Sequence, residues 1–174
     1  MSALLVAPHA DDECLFACYQ LIRLKAKVLV CLDSGLNRYL ELEAAMDVLG
    51  REFRMLWVDE TKPDWTAVLE GIGEEARQAG TVIGPAFEEG GHEHHNEVAR
   101  LVGQLGHSHK IHYLTYRRGH GRSTDGLVVK ATRAERDLKL AALQCYQSQW
   151  ENPATSPWFP GGEYGTYQEW IEWA

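Results

Sequence analysis

Short apolar runs alternate along the chain with longer segments in which apolar residues recur at about the helical period. The runs predict β-strands, and the first three are almost continuously apolar, as in strands covered on both faces of a sheet. The predicted strands are residues 3–7, 27–32, 53–58, 81–84 and 111–116. The predicted helices are residues 12–24, 38–49, 64–79, 93–105 and 132–147.

A strand followed by a helix, repeated along the chain, predicts right-handed crossovers. The predicted fold class is therefore α/β, with a Rossmann-like, doubly wound, mostly parallel sheet and helices on both faces. Gly50, Gly80 and Gly106 follow three helical segments, and each is expected to adopt the left-handed conformation that ends a helix. Ligands of such sheets bind beyond the carboxyl ends of the strands, so polar residues that follow strands are candidates for the functional site.

The pattern changes near Trp150. Residues 150–174 are rich in proline, glycine and aromatic residues, and they predict an irregular tail with a short helix near residues 164–173. We therefore expect one domain over residues 1–149 and a tail over residues 150–174 that packs on the same domain or on a partner subunit. The tail aromatics could instead stack on a sugar or a base. Formation of a homo-oligomer is left open.

Composition argues against several classes of function. A length of 174 residues suits a single domain, and a formal net charge of −8 disfavours binding to nucleic acid or to anionic lipid. No run reaches the roughly 18 apolar residues of a membrane span. The four cysteines lie within apolar patterns, which indicates buried, reduced thiols. A cytoplasmic protein that acts on a small molecule is the expectation.

Two segments that follow predicted strands carry the residue types of a metal site. Asp11 and Asp12 follow the first strand, and two adjacent carboxylates at a buried position require a cation or a proton. His9 is close enough in sequence to share that cation. The loop after the fourth strand adds His92, His94 and His95. Three nitrogen and oxygen ligands, with a fourth position left for water, are typical of a catalytic zinc site.

The order of these motifs resembles the PIG-L/LmbE-like family of zinc-dependent N-deacetylases, which includes N-acetylglucosaminyl deacetylases. The segment APHADDE at residues 7–13 is followed much later by HxxH at His92 and His95. Residues 38–50 match the family's second-helix signature RxxE…A…LG, and residues 139–149 match its late signature that ends in SQ. The matches extend over most of the chain.

The resemblance implies a hydrolase of linear amides, acting on carbon–nitrogen bonds other than peptide bonds, that removes an acyl group from an amino sugar or a related small amine conjugate. It implies one zinc ion per chain, bound by His9, Asp12 and His95. Asp11 would be the general base, and a protonated His92 would stabilise the oxyanion or protonate the amine. A modest shift of the loop would let His94 replace His92 or His95, and this alternative stays open.

Basic residues after the strands are candidates for substrate binding. Arg38 either pairs with Glu41 along one helix or braces the site. The segment at residues 117–122 contains three arginines and a histidine and would suit a phosphate or carboxylate of an anionic or sugar-linked substrate, although a solvated surface is the alternative. The predicted substrate-binding residues are Arg38, Arg117 and His120.

Two features depart from the family pattern. Only the aromatic tail follows the SQ signature, where many relatives carry a longer part that walls the active site. The pocket is therefore expected to be shallow or completed by a neighbouring subunit. The second motif reads HEHH where HPDH is common, so a carboxylate that could support a metal ligand is missing, and Glu93 is the candidate to replace it.

Two other classes of function are alternatives. A receiver-like signalling module also places an acidic pair after the first strand and an aspartate after the third, here Asp59, but it leaves the histidines unexplained. The second alternative is a catalytically inactive, metal-binding scaffold. The presence of Asp11 beside all three candidate ligands argues against it.

Overall fold

The computed structural model describes residues 2–117, 121–122, 126–162 and 167–173, with the backbone alone at residues 116–117 and 121–122. The strands are β1 (Ala3–Ala7), β2 (Lys27–Asp33), β3 (Phe53–Asp59), β4 (Thr81–Pro85), β5 (Lys110–Tyr113), β6 (Tyr116–Arg117), β7 (Gly121–Arg122), β8 (Leu127–Val128) and β9 (Trp170–Trp173). The helices are α1 (Asp12–Phe16), α2 (Cys18–Leu24), α3 (Leu36–Leu49), α4 (Trp65–Ala76), α5 (Glu93–Gly103), α6 (Arg133–Leu143) and α7 (Gln147–Glu151), followed by a 3-10 turn at Ser156–Trp158.

Seven of the described strands form one sheet in the order β3-β2-β1-β4-β5-β9-β8. Strands β1 to β5 pair in parallel, and β9 runs antiparallel between β5 and β8. The predicted α/β class with a mostly parallel sheet is confirmed. The order 3-2-1-4-5 is that of Rossmann-like folds, whereas receiver domains have the order 2-1-3-4-5. The receiver-like alternative is therefore wrong.

Apolar residues cover both faces of the sheet because successive residues of a strand point to opposite sides. In β1, Leu5 and Ala7 join a core with α1, α2, α3 and α6, whereas Leu4 and Val6 join a second core with α4 and α5. All four side chains are at most 2% exposed. Burying an aliphatic side chain of the size of valine or leucine contributes about 1.5–3 kcal/mol. The continuous apolar run is thus a strand buried on both faces.

Three predicted elements are interrupted in the structure. Residues 12–24 form two helices, because Ala17 between them leaves the helical conformation, with φ −133° and ψ 14°. Residues 132–147 are divided between α6 and α7, and residues 111–116 between β5 and β6.

The predicted helix-ending glycines give a mixed result. Gly50 ends α3 in the left-handed conformation, with φ 61°, as predicted. The same prediction is wrong for Gly80 and Gly106, since neither has a positive φ. Helices α4 and α5 end before these glycines, and the residues that cap them, Arg77 and Gln104, both keep right-handed backbone angles.

The end of the tail forms a strand where a helix was expected. Residues Trp170–Trp173 form β9, which pairs with β5 from Tyr113↔Ile171 to Ile111↔Trp173. Without this partner, β5 would leave backbone N–H and C=O groups unpaired along the sheet edge. The prediction of a helix over residues 164–173 is therefore wrong, because pairing with a distant strand outweighs the local pattern.

A buried ion pair fastens the tail to the helical layer. Lys139 Nζ on α6 lies 2.7 Å from Glu169 Oε1, and both side chains are fully buried. Lys139 Nζ also donates to the carbonyl of Leu15, and the Glu169 carboxylate accepts the backbone N–H of Tyr19. These hydrogen bonds compensate both charges inside the core, so that α1, α2 and α6 hold the residue that precedes β9.

All four cysteines are free thiols; Cys14, Cys18 and Cys31 are buried as predicted, whereas Cys145 is only partly buried. No helix within the described ranges combines the length and the apolar composition that crossing a lipid bilayer would need.

Candidate active site

The candidate site lies at the point where the strand order reverses, between β1 and β4. These strands are parallel neighbours, so their carboxyl ends meet at one edge of the sheet. A loop from Pro8 to Asp11 connects β1 to α1, and a loop from Ala86 to His92 connects β4 to α5. Open α/β sheets bind ligands at this position. The fold therefore brings together the two sequence segments that carry the predicted metal ligands.

Asp12 lies at the centre of the cluster. Its Oδ2 atom is 3.2 Å from His9 Nδ1 and 3.2 Å from His95 Nε2, and it accepts the backbone N–H of His9 at 2.9 Å. Asp12 and His95 are both buried. Burial alone would raise the pKa of Asp12, but the imidazoles of His95 and His9 outweigh it and hold the pKa well below its usual range. Asp12 is therefore an ionised carboxylate.

The three side chains could together hold a metal ion such as zinc. One ligand atom from each of His9, Asp12 and His95 lies within 4.8 Å of the others. Tetrahedral zinc with bonds of roughly 2.0–2.1 Å separates neighbouring ligand atoms by roughly 3.3 Å. The two separations from Asp12 Oδ2, both 3.2 Å, agree with this value. Two imidazoles and one carboxylate leave a coordination position for water, as in catalytic zinc sites.

Asp11 is held beside this cluster with a strained backbone, since its φ is 120° although it carries a Cβ atom. Its Oδ2 atom lies 3.1 Å from Arg38 Nη2, and the same guanidinium donates to the carbonyl of Ala10. Burial raises the pKa of Asp11 to about 7; Arg38 opposes this rise, and the carboxylates of Asp12 and Glu13 add to it. A carboxyl group with this pKa can exchange protons with water at neutral pH.

Two further carboxylates support the site from behind. Glu13 accepts the backbone N–H of Asp11 at 3.0 Å and the hydroxyl of Tyr146. Glu41 accepts the backbone N–H of Ser148 at 2.6 Å and its hydroxyl at 2.7 Å. Arg38 and Glu41, the two charged residues of the second-helix signature, thus bond to different elements. Arg38 bonds to the loop after β1, and Glu41 bonds to α7. This arrangement supports bracing of the site over a simple pair along α3.

His92 begins α5 as its N-cap, with Nδ1 accepting the backbone N–H of His94 at 3.2 Å. A neutral imidazole that accepts at Nδ1 carries its proton on Nε2, so Nε2 acts as a donor and not as a metal ligand. Burial, and then the neighbouring His95 and His9, lower the pKa of His92 to about 3. A second positive charge is unfavourable in this buried histidine cluster, so the neutral form of His92 is favoured over the expected protonated form.

His94 contacts His9 through the ring nitrogen that does not face Asp12, with His94 Nδ1 2.9 Å from His9 Nε2. Glu93, the expected replacement for a supporting carboxylate, has a side chain that is 80% exposed. Its Oε1 atom lies 4.0 Å from His94 Nε2, so any support that Glu93 gives to the cluster passes through His94. His9, His92 and His94 also place ligand atoms within 4.8 Å of one another. The proton on His92 Nε2 argues against that second set.

Residues that the motifs did not indicate hold the histidine loop in shape. Asn96 Oδ1 accepts the backbone N–H of Glu88 at 2.9 Å, and Asn96 Nδ2 donates to the Glu88 carbonyl at 2.8 Å. Glu88 Oε2 in turn accepts the backbone N–H and the hydroxyl of Thr115, at 2.7 and 2.8 Å. The sequence signal for this clamp is weak: a polar residue directly after HxxH and an acidic residue after β4.

A cleft of about 400 Å³ opens beside the cluster, and His9, Asp11, Arg38 and His92 line it. Its lining from the tail consists of Asn152, Ala154, Thr155 and Trp158. Further lining comes from Ser34 and Glu60 after β2 and β3, where Ser34 Oγ donates to Glu60 Oε2 at 2.6 Å. The tail of the same chain thus forms part of the wall of the cleft, although the sequence suggested a shallow pocket or one completed by a neighbouring subunit.

The predicted substrate-binding residues do not form one described group. Arg38 lines the cleft, where its guanidinium bonds to Asp11. The backbone of Arg117 pairs with β7, but its side chain lies outside the described residues, as does all of His120. A role in substrate binding stays a prediction for all three residues.

Solved structures share the fold of this chain. The A40926 pseudoaglycone deacetylase has a TM-score of 0.72 and 18% identity, covering 98% of this chain and 95% of that one. The zinc-inhibited form of a teicoplanin deacetylase has a TM-score of 0.65 and 18% identity, covering 86% of this chain and 85% of that one. The 4-carboxy-2-hydroxymuconate hydratase of Pseudomonas putida KT2440 has a TM-score of 0.70 and 14% identity, covering 99% of this chain and 95% of that one.

No model of a protein family matches the sequence, and no curated protein matches it. The structural likeness, at these identities, establishes the fold. The resemblance to deacetylases that the motifs indicated is confirmed at that level, and the same fold also occurs in a hydratase.

Proposed function

We propose that this protein is a zinc-dependent hydrolase that removes an acyl group, in the simplest case acetyl, from an amino sugar or a related small amine. The observation that carries the proposal is the difference between two adjacent carboxylates. Asp12 lies between two imidazoles with a lowered pKa, whereas burial raises the pKa of Asp11 to about 7. Opposite shifts in a neighbouring pair suit a metal ligand next to a general base.

The proposed ligands are His9, Asp12 and His95, with one ion per chain. Zinc bound there would lower the pKa of a coordinated water toward about 7 and polarise the acyl carbonyl. Asp11 takes a proton from the attacking water as the oxygen adds to the acyl carbon. The Arg38 guanidinium favours the ionised form of Asp11 that this step requires, since it opposes the rise in the pKa.

His92 donates its Nε2–H to the carbonyl oxygen as negative charge develops on it. A well-placed donor of this kind contributes roughly 3–4 kcal/mol. When the carbon–nitrogen bond breaks, the proton held by Asp11 passes to the leaving nitrogen, because the neutral imidazole of His92 is a poor acid. The products are a carboxylic acid and an amine, and Asp11 is ionised again.

Metal content and amine release test the proposal. Purified protein should contain about one zinc ion per chain, and His95→Ala should lose it. Asp11→Asn should keep the zinc and lose nearly all turnover. A panel of N-acetylated sugars and nucleotide-sugars, assayed for release of a primary amine, would identify the substrate. Well-folded protein that binds no transition metal after incubation with zinc would contradict the proposal.

A second candidate comes from the hydratase that shares the fold. Water could add to a carbon–carbon double bond, with Asp11 taking a proton from the water as the oxygen bonds to one carbon and returning a proton to the other carbon. The hydratase would need positive charge to bind a multiply charged carboxylate substrate. In the described lining of the cleft, Arg38 already bonds to Asp11, and Glu60 adds negative charge that opposes such a substrate. The hydrolase is therefore favoured. The products separate the two candidates: amine release supports the hydrolase, and loss of conjugated ultraviolet absorbance without amine supports the hydratase.

A further inference from the structure

The two ring nitrogens of His9 face two different partners. Nδ1 lies 3.2 Å from Asp12 Oδ2, and Nε2 lies 2.9 Å from His94 Nδ1. The side chain of His94 is 15% exposed and packs near the ring of Trp65, with the ring centroids 5.9 Å apart. His94 is therefore held in contact with a proposed zinc ligand, on the side away from Asp12.

The chemistry of imidazole decides the direction of the hydrogen bond once a metal ion is bound. A histidine binds a metal ion through a ring nitrogen that carries no proton. When Nδ1 of His9 is the ligand beside Asp12, its one remaining proton is on Nε2. His94 Nδ1 must then accept that proton in a hydrogen bond, and the proton of His94 is on its own Nε2.

We infer that His94 is a positioning residue of the zinc site, which accepts the Nε2–H of His9 and so fixes the tautomer and the ring orientation in which His9 binds the ion. This inference rests on the metal site of the proposed function, and it assigns a role to the histidine that the motifs left open. Ligating histidines usually donate their second N–H to a carboxylate, a carbonyl or water. Here an imidazole takes that place, while the largely exposed Glu93 carboxylate lies 4.0 Å from His94 Nε2.

The competing role for His94 is that of a ligand, in a second ion site with His9 and His92. Such a site would need a deprotonated Nε2 on His92, although the N-cap bond at His92 Nδ1 places the proton on Nε2. It would also need His9 to lose both of its ring protons when the first site is filled. An outer hydrogen bond requires neither change.

Zinc affinity, measured by competition with a chromophoric chelator, tests this role without any substrate. His94→Leu keeps similar volume but removes the acceptor, and its affinity should fall roughly 10- to 100-fold. His94→Asn places an amide oxygen near the position of Nδ1 and should restore most of the affinity. Glu89→Ala, which removes an exposed carboxylate from the loop before α5, should leave the affinity unchanged. Thermal unfolding followed by circular dichroism confirms that each variant is folded.

Several outcomes would overturn the inference. Wild-type affinity in His94→Leu would remove the role, and equal losses in His94→Leu and His94→Asn would show that an acceptor is not what matters. Two ions per wild-type chain, reduced to one by His94→Leu, would make His94 a ligand. These results leave the proposed function intact. Wild-type protein without zinc binding would instead contradict the proposed function, together with this inference.

Discussion

Arg38 Nη2 lies 3.1 Å from Asp11 Oδ2, so that the first turn of α3 holds the carboxyl group proposed as the general base. The same guanidinium donates to the carbonyl of Ala10, the residue before Asp11, and so holds the loop after β1. Its positive charge also opposes the rise that burial causes in the pKa of Asp11. One arginine thus sets both the position and the proton affinity of the base.

Replacing Arg38 should therefore shift the pH dependence of activity. Arg38→Met removes the charge that favours the ionised carboxylate, so the pKa of Asp11 should rise beyond its value of about 7. Because Asp11 accepts a proton only when it is ionised, the acidic limb of kcat/KM should move to higher pH, and activity at neutral pH should fall. Arg38→Lys, which keeps the charge, should move the limb less. Profiles with the same acidic limb in Arg38→Met and wild type would exclude Asp11 as the titrating base.

His92 should act as a donor and not as a ligand. His92→Ala is expected to lower kcat by roughly 10²- to 10³-fold, the effect of removing one oxyanion donor, while the zinc content stays at the wild-type value. His92→Gln, whose amide N–H can reach about the same place as Nε2–H, should keep more of the activity. Both variants should be less stable by about 0.5–2 kcal/mol in urea unfolding, since the N-cap bond to His94 is lost. Loss of zinc from His92→Ala would instead make His92 a ligand.

The buried pair of Lys139 and Glu169 should matter more for stability than an exposed pair. Lys139→Met leaves a fully buried carboxylate without its cation, so the free energy of unfolding should fall by about 3–5 kcal/mol. Adding Glu169→Gln should restore part of this loss, because no uncompensated charge then remains. Arg23→Met is the control: it breaks the more exposed bond to Glu135 and should cost about 0–1 kcal/mol. Similar losses in the free energy of unfolding for Lys139→Met and Arg23→Met, measured by urea unfolding, would contradict this account.

Trp158 should contribute to substrate binding, because the tail places it in the wall of the cleft. Aromatic contacts are worth about 0.5–1.5 kcal/mol beyond their buried area, so Trp158→Ala should raise KM roughly 2- to 10-fold. Zinc content should not change. Trp173→Ala is the matched control, since Trp173 lies on β9 with 67% of its surface exposed and is not part of the cleft lining. An equal change of KM in the two variants would show that the wall has no specific role.

The sequence alone determined the parallel part of the sheet and the main candidates of the site. Strands such as β1 are continuously apolar because both of their faces are buried, so a run of consecutive apolar residues is enough to predict them. The segments that contain Asp12 and His95 could be placed together because carboxyl ends of parallel strands meet at one edge. The chemistry of a carboxylate pair beside histidines was enough to predict a cation there.

The tertiary structure decided which groups face one another. The sequence favoured Glu93 as support for the site, because a carboxylate suits that role, but the direction of each side chain from α5 gives the place to His94. The tail was expected to end in a helix, yet β5 offers it a strand partner far away in the sequence. The local pattern of apolar and polar residues indicates which residues can be buried. Which side chains and strands contact one another is decided by the packing of elements that are distant along the chain.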